Sequence, residues 1–149
     1  MKKIIISNSY IVPTFEFLKD LPLKANKASR GRTQFLKRLE EKQNEYNESL
    51  MEINKKYFKV DDNKELIVED DQYTFKKDDE EFKLERTKEV NELLEEETEI
   101  LFGEYSTKYE ALFTALDDLE IELSGRDAIV YDVLMESYEA NEDKKEEGK

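Results

Sequence analysis

The chain contains neither cysteine nor histidine. The first absence excludes a disulfide framework, a zinc knuckle and a thiolate nucleophile. The second removes the commonest general base and the commonest metal ligand together. Tryptophan is also missing, and 149 residues hold only two prolines and four glycines. Long apolar runs are lacking as well, since the opening MKKIIISNSY carries just three isoleucines in a row. A secretory leader needs an apolar run of roughly 7–15 residues, and a membrane span about 20. These gaps predict a soluble, cytoplasmic protein that enters no membrane and depends on no cofactor.

What the chain does have is charge. It carries 38 Asp/Glu and 24 Lys/Arg, a net of −14, with 42% charged and 38% hydrophobic residues. So little apolar material makes a thin core, which favours helices that bury one stripe each over a sandwich or a barrel. The charge is also divided. Residues 1–59 hold 13 Lys/Arg against seven Asp/Glu, whereas residues 60–149 hold 11 against 31. Two halves folding onto each other would account for this, and so would two faces meeting different partners.

Ile4, Ile5 and Ile6 read as a short buried strand over residues 3–7. Pro13 predicts a helix over 13–20 with Phe15, Phe17 and Leu18 turned inward, ended by Pro22. Residues 24–32 read as a basic loop, with Ser29 as the next N-cap. Beyond it, Phe35, Leu39, Tyr46, Leu50, Ile53 and Tyr57 recur at helical intervals and predict a long helix over 29–58. A second helix, over 79–100, carries the stripe Phe82, Arg86, Val90, Leu93, Leu94 and Leu101. Between the two, residues 66–68 and 73–75 read as a β-hairpin turning at Glu69-Asp70-Asp71-Gln72 and packing against the N-terminal strand. Thr107 and Glu110 have capping-box spacing ahead of a helix that buries Tyr109, Leu112, Phe113, Leu116 and Leu119. Ser124 to Asp127 opens a last helix with Ile129, Val130, Val133, Leu134 and Tyr138 on one face. The expected fold class is mostly α with minor β, in a single domain over 1–140. It has a long antiparallel helical hairpin over 29–101 with a β insert at 60–78, two C-terminal helices and a short N-terminal strand. Residues 141–149 lack apolar side chains and are expected to form a disordered tail.

Asp61, Asn63 and Glu65 have the spacing that begins a calcium loop. Leu66 stands where that loop needs glycine, and Gln72 where it needs glutamate. The acidic runs at 69–71, 78–81 and 95–99 are consecutive, which is how a solvated face is written. No phosphate loop, dinucleotide fingerprint or nucleophile elbow occurs. The expectation is a protein that is not an enzyme and has no metal site. Two charged surfaces remain as candidates. The basic one is Lys24, Lys27, Arg30, Arg32, Lys37 and Arg38, able either to grip phosphates or to pair with acids of the second long helix. The acidic one is Asp61, Asp62, Glu69, Asp70, Asp71, Asp78, Asp79, Glu80, Glu81, Glu95 and Glu96. Rows of carboxylates on a rigid helical hairpin can compete with nucleic acid for a basic groove.

The segment Leu21-Pro-Leu-Lys-Ala-Asn-Lys-Ala-Ser-Arg-Gly-Arg-Thr-Gln-Phe-Leu36 resembles the Leu-x-Leu-Lys…Lys-Ala-Ser-Arg-x-Arg-x-x-Phe turn of a family of small proteins. These come from phages and prophages of low-GC Gram-positive bacteria and have no known function. The short first strand, a helix of the Tyr-x-Phe-Leu kind, and the ending Glu122-Leu-Ser-Gly-Arg-Asp-Ala-Ile-Val-Tyr-Asp-Val-Leu134 are similar too. The resemblance leaves out the 60–78 insert and the tail. It implies a phage or prophage origin and a place of work in the host cytoplasm or the virion; it implies no reaction.

The expected function is therefore that of a non-enzymatic, phage-encoded protein-binding module. Its partner would be a host or phage protein, with inhibition or modulation of a host defence or nucleic-acid-handling protein through the acidic helical surface. The alternatives are a virion or tail-assembly accessory, and a nucleic-acid-binding protein acting through residues 24–32.

Overall fold

In a computed structural model that describes residues 1–147, with side chains through residue 142, the chain is mostly helical with one small sheet. In order it forms β1 (Lys3–Ser7), α1 (Ile11–Lys19), α2 (Lys27–Tyr57), α3 (Glu80–Glu95), β2 (Glu97–Leu101), α4 (Ser106–Asp117) and α5 (Gly125–Glu147). Short 3-10 turns stand at Asn8–Tyr10 and Gly103–Tyr105. Contacts group the chain into two compact units: residues 1–43 with the chain from residue 97 onward, and residues 44–96. The expected single domain over 1–140 and the expected hairpin over 29–101 are both cut at those points. One boundary falls inside α2 and the other between α3 and β2.

In the first unit β1 pairs antiparallel with β2, Ile4 opposite Ile100 and Ile6 opposite Thr98. This corrects two expectations. The second long helix stops at Glu95 instead of running to residue 100, and β1 joins residues 97–101 instead of the 60–78 insert. The physical reason is a short alternation: Thr98 and Ile100 turn inward while Glu97, Glu99 and Leu101 face solvent. Such a period of two suits a strand and not a helix. Leu101, assigned to a helical stripe, is half exposed. Ile5 is only half-buried, so β1 alternates too.

α2 begins at Lys27, where the Ala28 N–H donates to Asn26 Oδ1 at 2.9 Å. Asn26, and not Ser29, therefore provides the cap, and most of the expected basic loop is helical. Gly31 lies in the second turn against α4. A Cβ there would sit 2.3 Å from the Lys108 carbonyl oxygen. Behind it Phe35 is fully buried and meets the edges of Tyr109 and Phe113 at 5.6 and 5.9 Å between centroids. Phe113 in turn stacks on Tyr138 at 4.7 Å.

α1 starts at Ile11, two residues before Pro13. Proline is tolerated there because first-turn N–H groups have no intrahelical partner. Phe17 and Leu18 are buried with Ile11 and Thr14, while Phe15 is only half-buried. α4 starts at Ser106 with Tyr105 as a cap that makes no side-chain bond, so the Thr107 and Glu110 capping box does not form. The Glu110 carboxylate instead accepts from Lys2 Nζ. On α5 the buried residues are Val130, Leu134 and Met135, whereas Ile129 is 55% exposed and off that face.

α5 also continues through most of the expected tail, to Glu147, and the first tail residue has partners. The Lys3 N–H donates to Asn141 Oδ1 at 3.0 Å, and Asn141 Nδ2 donates to the Lys3 carbonyl at 2.8 Å. The Ile5 N–H donates to Ser137 Oγ at 2.7 Å. The outer edge of β1 is thus capped by helix side chains in place of a third strand. Residues 148 and 149 of the expected tail lie outside the described residues.

In the second unit α3 returns alongside the end of α2. Asn54 meets Arg86, and Tyr57 meets Phe82 with centroids 5.0 Å apart, so the two run antiparallel. The polar member of the α3 stripe is accounted for here. Arg86 Nε and Nη2 donate to the buried Asn54 Oδ1 at 3.1 and 2.9 Å, and the guanidinium lies 4.8 Å from the Phe58 ring centre. The connection differs from a regular hairpin. Isolated bridges link Phe58 with Phe75, Val60 with Leu66 and Glu69 with Gln72. Lys59 serves both sides, its N–H donating to the Thr74 carbonyl and its carbonyl accepting from the Ile67 N–H. The turn does fall at Asp70 and Asp71, with φ of 52° and 62°, the left-handed pair that a two-residue hairpin turn requires.

Candidate functional site

The basic group divides into structural and free members. On α2, Lys27, Arg30 and Lys37 fall at i, i+3 and i+10. All three are exposed; Arg30 and Lys37 point away from the buried Phe35 and Leu39, while Lys27 lies one turn before Gly31 at the border of that buried face. Lys24 is exposed in the preceding segment. None of these four takes part in an ion pair among the described residues. Arg32 turns back instead, its Nη1 donating to the carbonyls of Leu21 and Leu18 and tying the chain before α2 to the helix. Arg38 pairs with Glu41 at 2.9 Å and lies 5.9 Å from the Tyr105 ring centre. The hydrogen bond to Glu41 raises its pKa above the ordinary guanidinium value.

Several of the acidic residues also have local work. Asp61 Oδ1 accepts from the N–H groups of Asn63 and Glu65 at 2.8 and 3.0 Å. Asp79 caps α3 by accepting from the Glu81 N–H at 3.1 Å, and Asp78 pairs with Lys83 at 3.0 Å. Glu80 and Glu81 lie in the first turn of α3, where the helix dipole favours anions. Asp70 and Asp71 form one turn, with Glu69 exposed at its edge, and Asp62 is exposed in the separate turn between Asp61 and Glu65.

The far end of α3 is different. Glu92, Glu95 and Glu96 are exposed, and no basic residue lies in the last turn. Here the dipole is negative, so each glutamate is placed against the field. Nearer the middle, Lys56 Nζ sits 2.7 Å from Glu89. That bond holds the Glu89 carboxyl below the usual carboxylate range and lifts Lys56 above its own.

Asn141, Ser137, Asn54 and Met135 were not singled out by periodicity, which weights apolar residues. Among the described residues no group of three or more acidic side chains converges as metal ligands would. No helix among them is long and apolar enough to cross a membrane.

No curated protein and no solved structure matches the chain. A family match extends over residues 2–147, and so takes in the 60–78 insert and nearly all of the segment from 141 onward that the resemblance had left aside. The chain belongs to that family, which is described as "Protein of unknown function (DUF1617)".

Proposed function

We propose that the protein is a non-enzymatic binding module of phage or prophage origin. It would inhibit or modulate a host protein whose own ligand is nucleic acid, by presenting carboxylates of the second unit to that protein's basic groove. The observation that carries this reading is the acid-only end of α3. Residues 44–96 hold 18 Asp/Glu against nine Lys/Arg. Glu92, Glu95 and Glu96 are unfavourably placed against the helix dipole, by about 0.3–1 kcal/mol each at an exposed site. A cationic partner surface would relieve that placement. Glu81 and Glu85 share the face, and successive i, i+4 carboxylates rise by about 6 Å along it. The phage origin rests on the resemblance of the 21–36 and 122–134 segments, and the host cytoplasm follows from it.

The test is capture of a host protein from a bacterial lysate, followed by kinetics with the purified pair. The association rate should fall steeply with salt, added nucleic acid should compete, and the triple variant Glu92→Gln, Glu95→Gln, Glu96→Gln should bind about tenfold more slowly. An unchanged rate for that variant removes the reading. Stoichiometric incorporation into virions would favour an assembly role instead.

One observation favours a second reading. Lys24, Lys27, Arg30 and Lys37 are exposed and have no ion-pair partner among the described residues, as phosphate-contacting side chains would be. Retention on phosphocellulose that weakens with Lys27→Ala and Arg30→Ala would support it, and absence of retention would end it.

A further inference from the structure

The ladder between β1 and β2 alternates. Phe102 N–H donates to the Lys2 carbonyl at 3.0 Å, so Ile4 with Ile100 and Ile6 with Thr98 are the hydrogen-bonded pairs. The peptide groups of Lys3 and Ile5 face away from β2, and Asn141 and Ser137 take them up. By the same alternation the peptide groups of Glu97, Glu99 and Leu101 face away from β1. No hydrogen bond reaches them among the described residues, and all three residues are exposed. The sheet therefore has one edge capped by side chains and one edge open.

We propose that the open edge of β2 takes an extended, basic segment of another protein as a third strand. Three features define the segment. Its backbone pairs with the free N–H and C=O groups of Glu97, Glu99 and Leu101, at the spacing of about 4.8 Å common to all sheets. Its outward residues lie beside Glu97 and Glu99, where lysine or arginine is complementary; Glu97 has no ion pair among the described residues, and Glu99 has only Lys3, at 2.9 Å. Its alternate residues turn toward a groove of about 460 Å³ whose walls combine Ile100, Phe102 and Tyr105 with the charged Arg38, Glu41 and Glu104, so that it takes an apolar side chain ringed by charge. A second copy of the chain fits poorly, because β2 against β2 sets glutamate beside glutamate. The inference uses only residues of the first unit and stands apart from the acidic end of α3.

The probe is the fluorescent, end-capped peptide Lys-Val-Lys-Phe-Lys-Val-Lys, titrated against the full chain by anisotropy while amide exchange is followed at Glu97, Glu99 and Leu101. Saturable binding that slows exchange at those three amides is expected. A protein of net charge −14 attracts any cation, so two control peptides decide. N-methylation on alternate residues, made in both registers, should weaken binding about tenfold or more in one register, because it removes the strand's donors. Replacing lysine by glutamate should abolish binding. Leu101→Pro removes an edge donor without touching the β1 ladder and should weaken the peptide by a similar factor; if that variant does not fold, the peptide controls still decide. Undiminished binding of both N-methylated peptides, unchanged exchange at the three amides, or equal binding of the acidic peptide overturns the proposal. So does a chain that sediments as a dimer with those amides protected, which would assign the edge to a second copy.

Discussion

Gly31 is where α2 and α4 meet backbone to backbone, and it carries the sharpest residue-scale prediction. Gly31→Ala would gain helix propensity, by up to about 1 kcal/mol, yet its methyl would lie 2.3 Å from the Lys108 carbonyl. A backbone atom gives way only if a helix moves, so the expected net effect is a loss of about 1–3 kcal/mol, read from urea denaturation. In the sequence the Ser29-Arg30-Gly31 run reads as a loop, because a glycine kept for close approach looks the same as a glycine kept for a turn. Glu89 gives a second prediction. Its carboxyl is held below the unfolded value of 4.5 chiefly by Lys56. The contribution is therefore fully present above pH 4.5 and fades as pH drops through the lower folded value. Glu89→Gln should be less stable than the wild type at pH 7, by a small margin because Lys56 is exposed. The gap between the two denaturation midpoints should narrow as pH falls from 4.5 through the lower folded value, and a gap that does not change with pH contradicts the assignment.

At the scale of elements, the edge of β1 depends on α5. Asn141→Ala leaves the Lys3 N–H and C=O without their partner, which is expected to cost about 1–3 kcal/mol. Ser137→Ala should cost about 1 kcal/mol by releasing the Ile5 N–H. Amide exchange at Lys3 and Ile5 reports each loss separately, and protection unchanged in the variants would show that α5 does not hold this edge. The same element marks what periodicity can and cannot reveal. The stripes Phe35–Leu39 and Phe82–Leu93, the core side of α4 and the Asp70-Asp71 turn were legible because each repeats a local rule of spacing or turn chemistry. Strand β2 was hidden, since Leu93, Leu94 and Leu101 fit one helical stripe and five alternating residues are too short a signal against it. The segment from Asn141 reads as disordered because it is polar, whereas its first residue hydrogen-bonds to Lys3, which composition does not record. Of the two candidate surfaces, the positions of the charges were legible, but their division into anchored and free members was not. Arg32 is anchored by carbonyls of the preceding segment and Arg38 by Glu41 on its own helix and the Tyr105 ring, whereas Arg30 meets no such partner among the described residues.

At the scale of the whole molecule, 38 acidic against 24 basic residues leave a field of one sign that opposes compaction. Raising sodium chloride from about 0.02 to 0.5 M shortens the Debye length severalfold and should raise the melting temperature by several degrees. A fall would mean that attractive pairs such as Lys2 with Glu110 and Glu142 outweigh the repulsion. The arrangement of the units also bears on synthesis. Residues 44–96 are contiguous and can assemble as soon as they clear the ribosome. The first unit cannot: the opening strand waits for β2 about a hundred residues later, and for Asn141 some forty residues after that. The isoleucines made first are thus the last to be sheltered, and a nascent chain stalled before residue 97 would hold them exposed to chaperones or to neighbouring chains.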